Sequence, residues 1–198
     1  MEQDTKEKLL RSAIQLFGEY GFDKISIRQI AKHAGTNSAL ISYYFGSKQK
    51  LYELVIEKQV SALEQFLTPQ MQELDPREVL RLYAVTLQKI HQENPLLIRF
   101  LCREIIAPST VLDTFVKKRL QFVFLVLKSA LKRGIQQGLF RPDINIQAAV
   151  ILWAGMVNFY YMSRPIHTRI KGTNENDTLY MQQAITVFLT GIERSPHS

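Results

Sequence analysis

Ala39, Ser42 and Tyr43 sit at the spacing of one helix face within the stretch Ser26 to Lys48, SIRQIAKHAGTNSALISYYFGSK. At about 100° per residue they project to one side of a short helix, while Leu40, Ile41, Tyr44 and Phe45 project to the other. A methyl, a hydroxyl and a phenol facing outward offer an apolar contact, donors, acceptors and a flat ring. Base edges and phosphates in a DNA major groove call for that set. Charge points the same way: from Lys24 to Lys50 the cations are Lys24, Arg28, Lys32, Lys48 and Lys50, and no Asp or Glu interrupts them. Lys48 follows the capping residue Ser47 in the first turn of a helix, where the dipole already favours an anion. A lysine there adds little to the helix and suits a phosphate. Arg28, Thr36, Tyr44 and Lys48 are therefore the expected phosphate partners, and Ala39, Ser42 and Tyr43 the expected base readers. Asn37 and Ser38, at the helix start, complete the DNA-binding set. The competing account is a solvated face on an ordinary all-α protein that touches no DNA.

Enzyme chemistry finds no comparable pattern. The sequence holds no Walker loop, GxSxG, HExxH or CxxC. His33, His91, His167 and His197 stand too far apart for a local metal site, and no metal or other cofactor is expected. Cys102 and His91, eleven residues apart, match no catalytic motif. A single cysteine permits no intrachain disulfide, so a reducing cytoplasm is the expected compartment.

The elements that must position these residues are legible in the punctuation. Ser26 is a good N-cap for a helix Ile27 to His33, and Gly35 supplies the left-handed backbone of an abrupt stop. Thr36 and Asn37 then start a helix Ser38 to Phe45. Helix, glycine-containing turn, helix is a helix-turn-helix. The string Ser26 to Leu51, with Ile-Ala before an Ala-Gly turn and then Leu-Ile-x-Tyr-Tyr-Phe-x-Ser-Lys-x-x-Leu, resembles the DNA-binding domain of the TetR family of bacterial repressors. The resemblance reaches back through KEKLLRSAIQLFGEYG to Tyr20, Gly21 and Phe22, about the first quarter of the chain. Members of that family often carry Tyr where this chain has Ser42, which leaves a thymine-methyl contact either to Tyr43 or absent.

The rest of the chain reads as helix throughout. Prolines at 69, 76, 95, 108, 142, 165 and 196 fall where the apolar period breaks. The spacing predicts helices Thr5 to Tyr20, Ile27 to His33, Ser38 to Phe45, Lys48 to Leu67, Pro76 to Gln92, Pro95 to Ile106, Ser109 to Gln137, Ile146 to Met162 and Asn176 to Arg194, with no strand. The fold class is all-α: an N-terminal three-helix helix-turn-helix domain, residues 1–52, joined by a fourth helix to a larger helical effector-binding and dimerisation domain, residues 53–198. Arg164 to Glu175 is the expected mobile loop. The polar N-terminus has no secretion-signal order, and the longest apolar run, Ala148 to Val157, falls well short of the ~20 residues that cross a bilayer. No membrane association is expected.

The larger domain carries most of the aromatics, and packing accounts for most of them. Polar or bulky residues within its apolar stretches are the effector-binding candidates: Tyr83, His91, Phe100, Arg103, Phe122, Trp153 and Asn158, with Cys102 and Glu104 beside them. Ala148, Leu152, Gly155 and Phe159 make a stripe at i, i+4, i+7 and i+11, joined by Ala184, Ile185, Phe188 and Ile192 of the last helix. In the TetR family these two helices pair with their copies as a four-helix bundle, so the resemblance implies a homodimer through this surface. From Thr114 to Pro142 the cations Lys117, Lys118, Arg119, Lys128, Lys132, Arg133 and Arg141 have no acid among them. Such a run is ordinarily a solvated face, with an anionic effector or flanking DNA as the functional alternative. The net charge of +7 is thus shared between both domains. The expected function is a one-component transcriptional regulator, a repressor that binds a palindromic double-stranded DNA operator as a homodimer and is released by a small-molecule effector. The alternative is a helical ligand-binding or scaffold protein without specific DNA binding.

Overall fold

The structure, a computed structural model, describes residues 2–61, 71, 73–106, 117–167, 169 and 176–194. Among the described residues every regular element is a helix: α1 (Glu2–Tyr20), α2 (Ile27–His33), α3 (Ala39–Phe45), α4 (Lys48–Val60), α5 (Pro76–Glu93), α6 (Leu97–Ile106), α7 (Lys117–Gln136), α8 (Ile146–His167) and α9 (Asp177–Ile192). The expected ends of the fourth helix beyond residue 61 and the start of the seventh at 109–116 lie outside the described residues, as do 168 and 170–175 of the expected loop. Several limits differ from expectation: α1 starts at Glu2 rather than Thr5, α5 ends at Glu93 rather than Gln92, α6 starts at Leu97 rather than Pro95, α7 ends at Gln136 rather than Gln137, and α9 spans Asp177–Ile192 within the expected Asn176 to Arg194. Ser38 precedes α3 as its cap residue, and α8 runs past Met162 through Pro165 to His167.

The chain divides into two compact units. One takes in Met1–Ala62 and Asn94–Lys118. Its core is built from Leu9, Ala13 and Phe17 of α1, Ile30 and Ala31 of α2, Ile41 and Phe45 of α3, Leu51, Tyr52, Val55 and Ile56 of α4, and Leu97 and Phe100 of α6. Those of α1, α3 and α6 are three or four residues apart and those of α4 are two adjacent pairs four apart, so each of these helices turns one apolar stripe inward, while α2 adds the neighbours Ile30 and Ala31. Tyr52 is the hub: its ring lies 5.1 Å from Phe17, edge on, 4.9 Å from Phe22 and 6.4 Å from Phe100. Arg103 of α6 donates to Phe17 O at 2.7 Å, which also accepts Gly21 N–H at 2.9 Å, and to Glu19 O at 3.5 Å, tying α6 to the end of α1. Asn94, just before α6, donates through Nδ2 to Oε1 of buried Gln59 on α4.

The other unit is Leu63–Glu93 with Arg119–Ser198. Here α5 packs on α8 and α9, which also pack on each other. Trp153, fully buried on α8, donates through Nε1 to Leu80 O at 3.2 Å and stacks on Phe188 of α9 at 4.6 Å. Gly134 has no Cβ because the Phe140 ring occupies that space, 2.1 Å from where a Cβ would stand. The turn after α7 is pinned to the end of α9 by Arg141 N to Ile192 O, 3.0 Å, and Arg194 N to Leu139 O, 3.1 Å. Arg133 donates to Leu74 O and Met71 O, so one cation of the basic run is spent on structure, and Arg141 lies 3.7 Å from Asp143. Lys118, Lys128 and Lys132 face outward.

Among the described residues no helix is long and apolar enough to cross a membrane, and no group of His, Cys, Asp or Glu could hold a metal ion.

Candidate nucleic-acid interface

The site is built around a short, tightly specified connection. Ser26 and Gln29 form a reciprocal cap at the start of α2: Gln29 N donates to Ser26 Oγ at 3.3 Å, and Ser26 N donates to Gln29 Oε1 at 2.8 Å. At the other end Thr36 N reaches Ala31 O at 2.9 Å and Gly35 N reaches Lys32 O at 3.2 Å, with Gly35 at φ +67. That pair of bonds closes a helix around a left-handed residue, which any side chain with a Cβ adopts at a cost. Asn37 then starts α3 by accepting Ala39 N–H on Oδ1 at 2.9 Å, whereas Ser38 makes no side-chain cap bond. Gly46, at φ +79, ends α3, and Ser47 caps α4 by accepting Lys50 N–H at 3.1 Å.

This frame sorts the faces of α3. Ile41 and Phe45 are buried and Leu40 and Tyr44 half-buried, while Ala39, Ser42 and Tyr43 are exposed, Tyr43 at 71%. The Tyr43 ring meets Tyr44 edge on at 5.0 Å, which limits where it can swing. In the segment that carries α3, Lys24, Arg28, Lys32 and Lys50 are exposed, and among the described residues none of them, nor Lys48, pairs with a carboxylate. Lys48 is half-buried with Nζ 4.1 Å from the centre of the Phe22 ring, a cation–π contact that holds the ammonium in place. Arg28, Ala31, Lys32, Thr36, Asn37 and Ser38 line an open groove of about 490 Å³. Thr36 Oγ1 is buried without a hydrogen-bond partner among the described residues. A second groove of about 480 Å³ runs over Leu16, Tyr20, Lys24, Ile25, Gln29, Lys32 and His33, whose Nδ1 lies 3.0 Å from Ser12 Oγ. Lys32 lines both. Its charge is visible in the sequence, but its place between two grooves depends on the turn that folds α3 across α2.

Residues 9–55 match the family described as bacterial regulatory proteins, tetR family, and residues 76–184 match the tetracyclin repressor-like C-terminal domain. The chain belongs to the TetR family. The helix-turn-helix-type transcriptional repressor NicS of Pseudomonas putida is 29% identical over 165 residues, 81% of this chain and 77% of NicS. RutR of Escherichia coli, a helix-turn-helix-type transcriptional regulator, is 23% identical over 181 residues, 91% of this chain and 84% of RutR. Among solved structures, that of HlyIIR, a hemolysin II transcriptional regulator, is 27% identical, covers 98% of this chain and all of its own, and superposes with a TM-score of 0.74. This TetR-family chain is a DNA-binding transcriptional regulator.

The effector candidates of this regulator fall into separate places. Tyr83, His91, Asn158 and Trp153 gather in the interior of the second unit: Asn158 Nδ2 donates to Tyr83 Oη at 3.0 Å and to Ala154 O at 2.9 Å, and the Tyr83 and Trp153 rings are 6.4 Å apart. Burial pushes the Tyr83 phenol well up, only partly offset by Asn158, so it stays protonated. Phe100 and Arg103 belong instead to the first unit, where Phe100 is core and Arg103 ties α6 to the end of α1. Phe122 is 46% exposed on α7. Cys102 is half-buried, and burial raises its thiol pKa. The side chain of Glu104 lies outside the described residues.

The proposed pairing surface also divides. Ala148, Leu152, Gly155 and Phe159 are exposed, with nothing within 4 Å of where a Gly155 Cβ would stand. Ala184, Ile185, Phe188 and Ile192 are buried against this chain's own helices. The apolar residues that α9 leaves outside are Leu179 and Val187. Periodicity marked an apolar face on α9, but inner and outer faces are both apolar, and packing alone tells them apart.

Proposed function

We propose that this regulator is a cytoplasmic repressor that binds a palindromic operator as a homodimer and releases it when a small molecule occupies the helical body. The carrying observation is the outer face of α3, where Ala39, Ser42 and Tyr43 are exposed in a segment whose cations pair with no carboxylate among the described residues. Residues 1–52 act as the reading domain, and residues 53–198 supply the effector site and the pairing surface. Tyr43, Ser42 and Ala39 meet base edges; Arg28, Asn37, Ser38, Tyr44 and Lys48 hold the backbone, while Thr36, with Oγ1 buried and N–H bonded to Ala31 O, shapes the turn beside them. A helix of seven residues reads too few bases alone, so a second copy supplies a half-site ~34 Å away. The surface that supports pairing is the outer side of α8, where Ile151, Leu152, Phe159, Met162 and Ile166 are all exposed on a helix whose other side is already packed. A ligand that favours the released form by ~2 to 3 kcal/mol changes occupancy by about one to two decades.

The test is a gel shift on the DNA upstream of the protein's own gene over a salt series. Specific binding should weaken steeply with salt, and Lys48→Ala should reduce the slope of log K against log salt by about one. Salt-independent binding, or none at that DNA, removes the proposal and leaves the helical ligand-binding protein without a DNA role.

A further inference from the structure

In the second unit, His91 on the last turn of α5 is 3% exposed and Tyr161 on α8 is 5% exposed. Their rings lie 4.1 Å apart, tilted by 34°. Among the described residues neither His91 Nδ1, His91 Nε2 nor Tyr161 Oη has a hydrogen-bond partner. Buried polar atoms are nearly always paired, so three unpartnered atoms on two touching side chains mark an unusual polar spot in an apolar interior. Asn158, one turn before Tyr161 on α8, lies close enough to draw the His91 pKa up, but no hydrogen bond of ordinary geometry joins the two, and its amide nitrogen is spent on Tyr83 and Ala154. The nearby carboxylate, Asp177, is taken by Tyr160 Oη at 2.9 Å and by Arg164 at 3.7 Å.

We infer that His91 and Tyr161, beside the Tyr83–Asn158 pair, receive the polar end of an uncharged effector that carries a hydroxyl or carbonyl group on an otherwise apolar body. The inference rests on the reading that this regulator responds to a small molecule and says which kind. Desolvation lowers the His91 pKa to about 4, with Asn158 and Asp177 opposing only in part, so at neutral pH the imidazole offers one N–H donor and one acceptor. Burial, then the Asp177 and Tyr160 charges, push the Tyr161 phenol up, so it remains a donor. A hydroxyl or carbonyl matches these groups. Among the described residues a carboxylate or phosphate meets Asp177 here, and Arg164, the cation beside it, is already paired with that carboxylate, which an ammonium would have to share.

Matched probes test this on the full-length protein, with melting temperature and the fluorescence of Trp153, the single tryptophan, as readouts. The pairs are benzyl alcohol against benzoate, and 1-octanol against octanoate and octylamine. The neutral member of each set should bind and its charged partners should not. His91→Phe and Tyr161→Phe should each weaken neutral binding by about tenfold or more, while His91→Gln, which keeps a donor and an acceptor, should stay within about threefold of the native protein. Each Phe change removes an unpaired buried group, so both proteins should melt no lower than the native one. Should either unfold, the other and the neutral-versus-charged contrast decide. Charged probes binding as well as neutral ones, no neutral probe binding at millimolar concentration, or Phe variants binding unchanged overturns the inference; so does a probe-soaked crystal showing only ordered water on the three atoms. Gel shifts run in parallel separate the two proposals. DNA binding without neutral-probe binding sinks this one alone, and neutral-probe binding without DNA binding sinks the repressor reading alone.

Discussion

Helices α3 and α8 are both two-faced, and their outer faces differ in kind. On α3 the inner face, Ile41 and Phe45, is apolar, and the outer face is Ala39, Ser42 and Tyr43 amid cations. On α8 the inner face, Val150, Trp153, Val157 and Tyr161, is apolar or aromatic, and so is the outer one, with Leu152 63% and Phe159 59% exposed. A helix apolar all round belongs inside something. On the proposed function the first outer face meets a polar, charged partner and the second another protein surface.

Damage to the inner face of α8 should cost most. Trp153→Ala removes a fully buried indole, its bond to Leu80 O and its stacking on Phe188, and should destabilise the fold by about 3–5 kcal/mol in urea unfolding. The outer face of α8 should respond through assembly instead. Leu152→Glu should leave the far-UV spectrum intact, shift the protein to monomer in sedimentation, and weaken operator binding by about a hundredfold or more, because each half-site is then held alone. A dimer that persists in this variant would erase the contrast with α3.

Buried polarity gives a pH signature that neither outer face supplies. His91 has an ordinary pKa of 6.5 when unfolded and about 4 when folded, because burial disfavours its charged form. As pH falls below 6.5 the unfolded chain takes up a proton that the folded chain refuses, so stability drops until about pH 4. The loss is on the order of 3 kcal/mol. His91→Phe should flatten that part of the stability curve, and an unchanged slope would place the titration elsewhere.

The smallest effect belongs to the outer face of α3. Tyr43→Ala should leave unfolding free energy within about 0.5 kcal/mol of native, since the side chain is mostly exposed, and should reduce discrimination between operator and bulk DNA by about 1–3 kcal/mol. Equal loss on both DNAs would make Tyr43 a backbone contact.

The head was the more legible half. Ser26, Gly35 and Ser47 announce their caps and turn through local chemistry, and a seven-residue helix between two glycine stops has few ways to face. The reading of Ala39, Ser42 and Tyr43 as outward needed only the helical period. In the body the same period was ambiguous. Arg103 sits in an apolar stretch and looked like a ligand contact, yet it ties α6 to the end of α1 some 86 residues earlier in the chain. Ala184, Ile185, Phe188 and Ile192 looked like a pairing stripe and are core, because nothing local distinguishes an apolar face that meets its own chain from one that meets a copy.

The amino-acid order therefore determined the helices, the turn between α2 and α3 and the acid-free surface, all of which arise from interactions within a few residues. Tertiary structure decided which polar groups are left unpaired in the interior and which apolar faces remain uncovered. Both are properties of distant segments brought together: burial is a sum over neighbours, and the chain order does not list its neighbours.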